Sequence, residues 1–266
     1  MAEAFEPTRE ERPCPLPFTI WDLVWMVGGG IAAALLLFFV ISFGYGAYYG
    51  SQGMTSNAVS MRFTQPTTLV VVLFAASLGF YAAVPLFAAW RLRRRRLSIA
   101  DLLAWPGWPA LGLAIVAAPV VIVFCGLVEQ FVLPIDDRDR MMSLQWEGIP
   151  QQGAGFVLFV LLAIVAAPIA EEVLFRGVLI GVLARRIGLI AAVLASSFLF
   201  AGVHGLFGAI DDPVYWLANM QLFFIGLVAA WLYLRYRSLL PAILFHFTNN
   251  ALAMAGYLAF RNLAGL

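Results

Sequence analysis

The run FVLFVLLAIVAAPIAEEVLFRGVLIGV (Phe156–Val182) decides how this chain is read, because it is nearly unbroken hydrocarbon yet carries two glutamates and an arginine. A helix of that length exceeds the ~30 Å hydrocarbon core of a bilayer. A charged side chain at the bilayer centre costs at least ~2.5–3.5 kcal/mol on insertion scales. Glu171, Glu172 and Arg176 therefore need partners or water, and an intramembrane cluster of this kind points first to a functional site.

Outward from this run the chain keeps the same character. Of its 266 residues 63% are hydrophobic and only 12% charged, and the mean hydropathy is +0.91. That exceeds what a soluble core of this size uses. The fold class expected is all-α, a polytopic transmembrane helical bundle. Apolar runs long enough to cross lie at 21–48, 67–90, 109–133, 154–184, 189–205, 216–235 and 239–260, so about seven spans are expected, or eight if the long fourth run is split. One integrated membrane domain is expected, in which residues 1–150 supply helices and loops and residues 151–266 hold the polar site.

Charge gives orientation and excludes a partner. The net charge of +1 predicts no nucleic-acid partner, and every basic residue is an arginine. RLRRRR (Arg91–Arg96), Arg185 with Arg186, and Arg235 with Arg237 fall on one side of a seven-span chain together with Arg9 and Arg12. Only Arg62, Arg138, Arg140 and Arg261 fall on the other, which places the N-terminus in the cytoplasm. RLRRRR reads as a topological anchor, with binding to anionic lipid or nucleic acid as the alternative. The following LSIADLLAW (Leu97–Trp105) reads as a short interfacial helix whose apolar face rests on the membrane. The connection Ile135–Pro150 is the longest polar loop. Residues 1–18 do not read as a cleavable signal, since the apolar run behind them is too long. With no transit peptide visible either, a bacterial plasma membrane is the location expected. Cys14 and Cys125 are read as unpaired.

Residues four apart on a helix share a face, whereas adjacent residues are turned by about 100°. Glu172 and Arg176 are thus neighbours, and Glu171 must be satisfied from another helix. A carboxylate in apolar surroundings can act as a base toward bound water near neutral pH; a structural ion pair with a second, loop-facing acid is the plainer reading. The chain has two histidines. Both lie in apolar runs, His204 in FLFAGVHG and His246 in LFHFTNN, and Asn250 shares a helical face with His246. Glu171 and His204 each lie about sixteen residues from the turn near Arg186–Gly188, so an antiparallel hairpin brings them level. His246 lies only about seven residues from its turn, roughly 10 Å against roughly 24 Å. Either the fourth and fifth helices project and tilt toward the cytoplasm, or one is broken.

Together EEVLFR (Glu171–Arg176), FAGVH (Phe200–His204) and HFTNN (His246–Asn250) resemble the EExxxR, FxxxH and HxxxN motifs of the CAAX protease and bacteriocin-processing family of intramembrane proteases, which includes the type II CAAX prenyl endopeptidases. The similarity covers about residues 150–260, making 151–266 the family-like core. The resemblance implies hydrolysis of a peptide bond by a glutamate-activated water in a membrane-tethered protein or peptide, with prenylation unspecified. It assigns Glu171 as general base, His204 to the water, and His246 and Asn250 to the oxyanion, where preorganised donors contribute most. Glu172 and Arg176 would support the site from behind. No cofactor is expected.

Other readings stay open at the level of sequence. The same carboxylates and imidazoles can hold a divalent metal such as zinc, although HExxH, GxSxG and GxGD signatures are absent. Ser196 and Ser197 read as packing residues. A transporter would use the ionisable groups as a proton relay, but they are confined to one site, with Glu129 the outlier. A non-hydrolytic immunity protein or scaffold would keep the fold alone.

Overall fold

In the computed structural model the described residues are 18–132, 153–205 and 213–264. Cys14, Arg9, Arg12 and the Ile135–Pro150 connection, with its Arg138 and Arg140, lie outside them. The described residues form helices α1 (Ile20–Ser51), α2 (Ser56–Phe63), α3 (Pro66–Arg94), α4 (Ile99–Leu102), α5 (Trp108–Val132), α6 (Gly153–Ile187), α7 (Leu189–Gly205), α8 (Pro213–Tyr236) and α9 (Leu239–Ala264), with no strand among them. Four of these, α1, α3, α5 and α6, are long and apolar enough to cross a membrane, and α7 is a shorter apolar helix. The chain is an integral membrane protein with an all-α fold.

α1 starts where the sequence supplies a cap. Thr19 Oγ1 accepts from the Asp22 backbone N–H at 3.2 Å, and Asp22 Oδ2 accepts from the Thr19 N–H at 2.8 Å, a reciprocal capping box. Asp22 is also buried, because Arg91 and Arg95 at the C-terminal end of α3 donate to its two oxygens, Arg95 Nη2 at 2.6 Å. Two arginines of RLRRRR thus bind α1 to α3, a use beyond topology, while Arg93, Arg94 and Arg96 are exposed. Along the same interface a Cβ on Gly79 would lie 2.6 Å from the Ala33 carbonyl oxygen. Only a missing side chain lets the two backbones approach so closely.

The stretch after the arginines differs from expectation. Only Ile99–Leu102 is helical, and Leu102 is buried in the core with Leu97 and Leu103 packed against it. These three leucines pack on protein, Leu102 Cδ2 lying 3.3 Å from where a Cβ on Gly177 of α6 would stand, while Trp105 stays exposed.

α6 is the central helix, buried continuously from Ala170 to Val182 and contacted by α3, α7, α8 and α9. It is unbroken through Ile187, and α7 is unbroken from Leu189 to Gly205, so neither helix of the pair is broken. Two stretches, Leu162–Ala166 and Val173–Leu179, have widened π turns. After Ile187 the chain reverses at Gly188, whose φ of 80° suits glycine, and α7 returns along α6. There Ser196 Oγ donates to the Phe175 carbonyl at 3.1 Å, and Ser197 packs against Gly226 of α8. α5 turns a stripe of Ala110, Ala114, Ala118, Val121 and Cys125 inward, toward the side on which α8 and α9 contact it.

Candidate active site

The two adjacent glutamates of α6 are held in different ways. Glu172 is fully enclosed, and its Oε1 accepts from Arg176 Nη1 at 2.8 Å, as the four-residue spacing requires. Arg176 is 1% exposed; its Nη2 donates to the Gly226 carbonyl at 3.1 Å, and its guanidinium lies 4.6 Å from the centre of the Phe200 ring. The same Glu172 oxygen meets His246 Nδ1 at 2.9 Å. Because the carboxylate only accepts, His246 donates from Nδ1, and its Nε2 is turned toward Glu171.

Glu171 points the other way. Its Oε2 lies 3.7 Å from His204 Nε2 and 3.8 Å from His246 Nε2, just beyond direct hydrogen bonding. His204, with 35% of its side chain exposed, donates from Nδ1 to the Phe200 carbonyl one turn back at 2.7 Å. That bond fixes the ring so that Nε2 faces Glu171. Both imidazoles thus present the same kind of atom to one carboxylate oxygen, and that buried oxygen has no hydrogen-bond partner among the described residues.

Asn250 reaches the site through a defect in α6. In the first widened turn the Ala167 N–H bonds the Leu162 carbonyl, five residues back. The next amide in that register belongs to position 168, which is proline and has no N–H. The carbonyl of Ala163 is left without its helical donor, and Asn250 Nδ2 of α9 supplies one at 2.8 Å. Asn250 retains a second amide proton. Asn249, adjacent in sequence, is buried away from this contact and does not line the cavity.

Glu171, His204, His246 and Asn250 line one cavity of about 250 Å³. Glu172 and Arg176 stand behind it. The remaining wall is mostly apolar, with Phe74, Ser77 and Tyr81 contributed by α3 and Leu222 and Ile225 by α8. The α3 residues carry no motif; a phenol in the middle of an apolar run is the one sequence signal that marks Tyr81. Among the described residues no three His, Cys, Asp or Glu side chains are grouped to hold a metal ion.

Fold and site together define a helical membrane protein with a carboxylate and two imidazoles facing one internal cavity. The family model described as Rce1-like, Type II CAAX prenyl endopeptidase Rce1-like, matches residues 153–252, which contain all three motifs. The resemblance read from those motifs is thus found independently over the same part of the chain. Comparison with curated proteins and with solved structures gave no match.

Proposed function

We propose that the protein is an intramembrane endopeptidase that hydrolyses a peptide bond of a membrane-tethered protein or peptide, without a metal. The observation that carries the reading is Glu171 Oε2 facing both histidine Nε2 atoms across less than 4 Å in a cavity with apolar walls.

A water held among these three atoms is surrounded by acceptors, so its protons point to them and a lone pair is left for the substrate. Glu171 takes one proton as the oxygen bonds to the scissile carbonyl carbon, and the carbonyl oxygen becomes an oxyanion. On collapse the C–N bond breaks, and the proton on Glu171 passes to the leaving nitrogen, giving a carboxylic acid and an amine. His204 positions the water through its Nε2. His246 does the same while its Nε2 is bare, and donates from Nε2 to the oxyanion when that nitrogen carries a proton, its ring held in place by the Nδ1 bond to Glu172. The second N–H of Asn250 is aimed by the Ala163 bond and serves the oxyanion.

The substrate is bound beside the lipid, and the family match supports a C-terminal CAAX-type segment, prenylated or not. The arginine distribution supports a cytoplasmic N-terminus, and the location proposed with it is the plasma membrane of a bacterium.

Glu171→Gln preserves shape and removes the base. In native membranes, protein termini that appear with the wild type should be absent with Glu171→Gln while the melting temperature is unchanged. Wild-type activity of that variant removes the assignment of the base, and loss of wild-type activity on chelation, restored by zinc, replaces the mechanism with a metal-dependent one.

A further inference from the structure

Peptide-bond hydrolysis in this cavity needs acceptors for the protons of water and donors for the oxygen that gains charge. Acceptors are plentiful: Glu171 Oε2 and the Nε2 atoms of both histidines. Donors are scarce. His204 commits its Nδ1 proton to the Phe200 carbonyl at 2.7 Å and His246 commits its own to Glu172 at 2.9 Å, so neither neutral ring has one left. Asn250 commits one of two amide protons to Ala163 at 2.8 Å. The Ser77 hydroxyl donates to the Phe74 carbonyl at 2.7 Å. Every other described residue on the wall except Tyr81 has a hydrocarbon side chain or is Glu171 itself.

We propose that Tyr81, on α3 and outside the three motif segments, is a catalytic residue whose hydroxyl donates a hydrogen bond to the oxyanion beside the second N–H of Asn250. The inference rests on the hydrolytic reading above and extends it to the first half of the chain. Tyr81 lines the same cavity as Glu171, His204, His246 and Asn250. Its ring is held edge-to-face with Phe80, centroids 5.9 Å apart, and packs against the core, so the hydroxyl rides on a fixed stem. Two residues earlier, Gly79 brings α3 against the α1 backbone and sets the position of that stem. A rigid donor costs little reorganisation when charge develops, which is why such donors matter most in water-poor sites.

The test uses the full-length protein in proteoliposomes with two probes: an internally quenched farnesylated CAAX peptide, which reports turnover, and a lipid-tethered peptide phosphinate, a tetrahedral anion that needs none. Tyr81→Phe should lower kcat by roughly 100-fold with KM within about twofold. It should weaken phosphinate binding by about tenfold and leave the melting temperature unchanged. Wild-type phosphinate affinity in Tyr81→Phe overturns the proposal, whether or not the peptide is cleaved. So does a loss of activity that only tracks a loss of folded protein. The Glu171→Gln protein separates the two levels: if it is inactive while Tyr81→Phe turns over at the wild-type rate, only the role of Tyr81 falls; if it cleaves like the wild type, the assignment of Glu171 as the base falls; and if the wild type itself neither cleaves the peptide nor binds the phosphinate, the hydrolytic reading falls with the proposal.

Discussion

Arg176→Met probes how the site stores charge away from water. The guanidinium is 1% exposed and Glu172 is wholly enclosed, with Nη1 and Oε1 2.8 Å apart. Removing one member of such a pair leaves a bare buried charge and costs about 3–5 kcal/mol. Glu172 keeps the bond from His246 at 2.9 Å, which puts the loss toward the lower end, about 3 kcal/mol. Losing the guanidinium over Phe200 at 4.6 Å adds about 1 kcal/mol. A total of about 4 kcal/mol lowers the melting temperature by roughly 10 °C in a chain of this size. Heating in detergent, followed by thiol labelling of the buried Cys125 in a Cys14→Ser background, measures it. The double variant Arg176→Met/Glu172→Gln should recover about 2 kcal/mol of the loss, because no bare carboxylate remains. A wild-type melting temperature for Arg176→Met, or a double variant no more stable than the single one, would refute the reasoning.

Asn250→Ala should cost about 1–3 kcal/mol by orphaning the Ala163 carbonyl, and adding Pro168→Ala should restore part of the melting temperature by supplying an amide N–H, without restoring cleavage. No recovery in the double variant would mean that the Asn250 contact is not a repair of the proline defect. Gly79→Ala places a methyl 2.6 Å from the Ala33 carbonyl oxygen and should destabilise the fold by about 1–3 kcal/mol; unfolding in detergent at the wild-type temperature would show that α1 and α3 can separate freely.

What was legible in the sequence depended on whether one local rule carried it. The pairing of Glu172 with Arg176 follows from helical spacing alone, and the ends of α5 and α7 lie within a residue of the edges of their apolar runs. α3 runs on through Arg94 because arginines are good helix formers, so the charged segment is helix over Arg91–Arg94 and turns only at Arg95 and Arg96. α2 is missed by a search for apolar runs, since only its Thr55 cap announces it. The widened turns of α6 leave no trace because a helix that is apolar all round has no face whose period could slip. The burial of Leu102 and the position of Tyr81 depend on which helices pack together, and one apolar span looks to another much like lipid.

The widened turn Val173–Leu179 lies between Glu171 and the reversal at Gly188 that returns the chain to His204. Deleting a single residue from the ordinary α turns that follow it, Ile180–Ile187, would swing everything beyond them by about 100° and draw it in by about 1.5 Å, whereas one lost from the widened turn itself could be absorbed by its closing to α geometry. The arm that brings the first histidine to its glutamate is therefore calibrated by the number of residues it contains. Spacing within that hairpin is accordingly a stricter requirement than the identity of most side chains along it, and a chain with every motif letter intact but one residue too few would carry the parts of the site without its assembly.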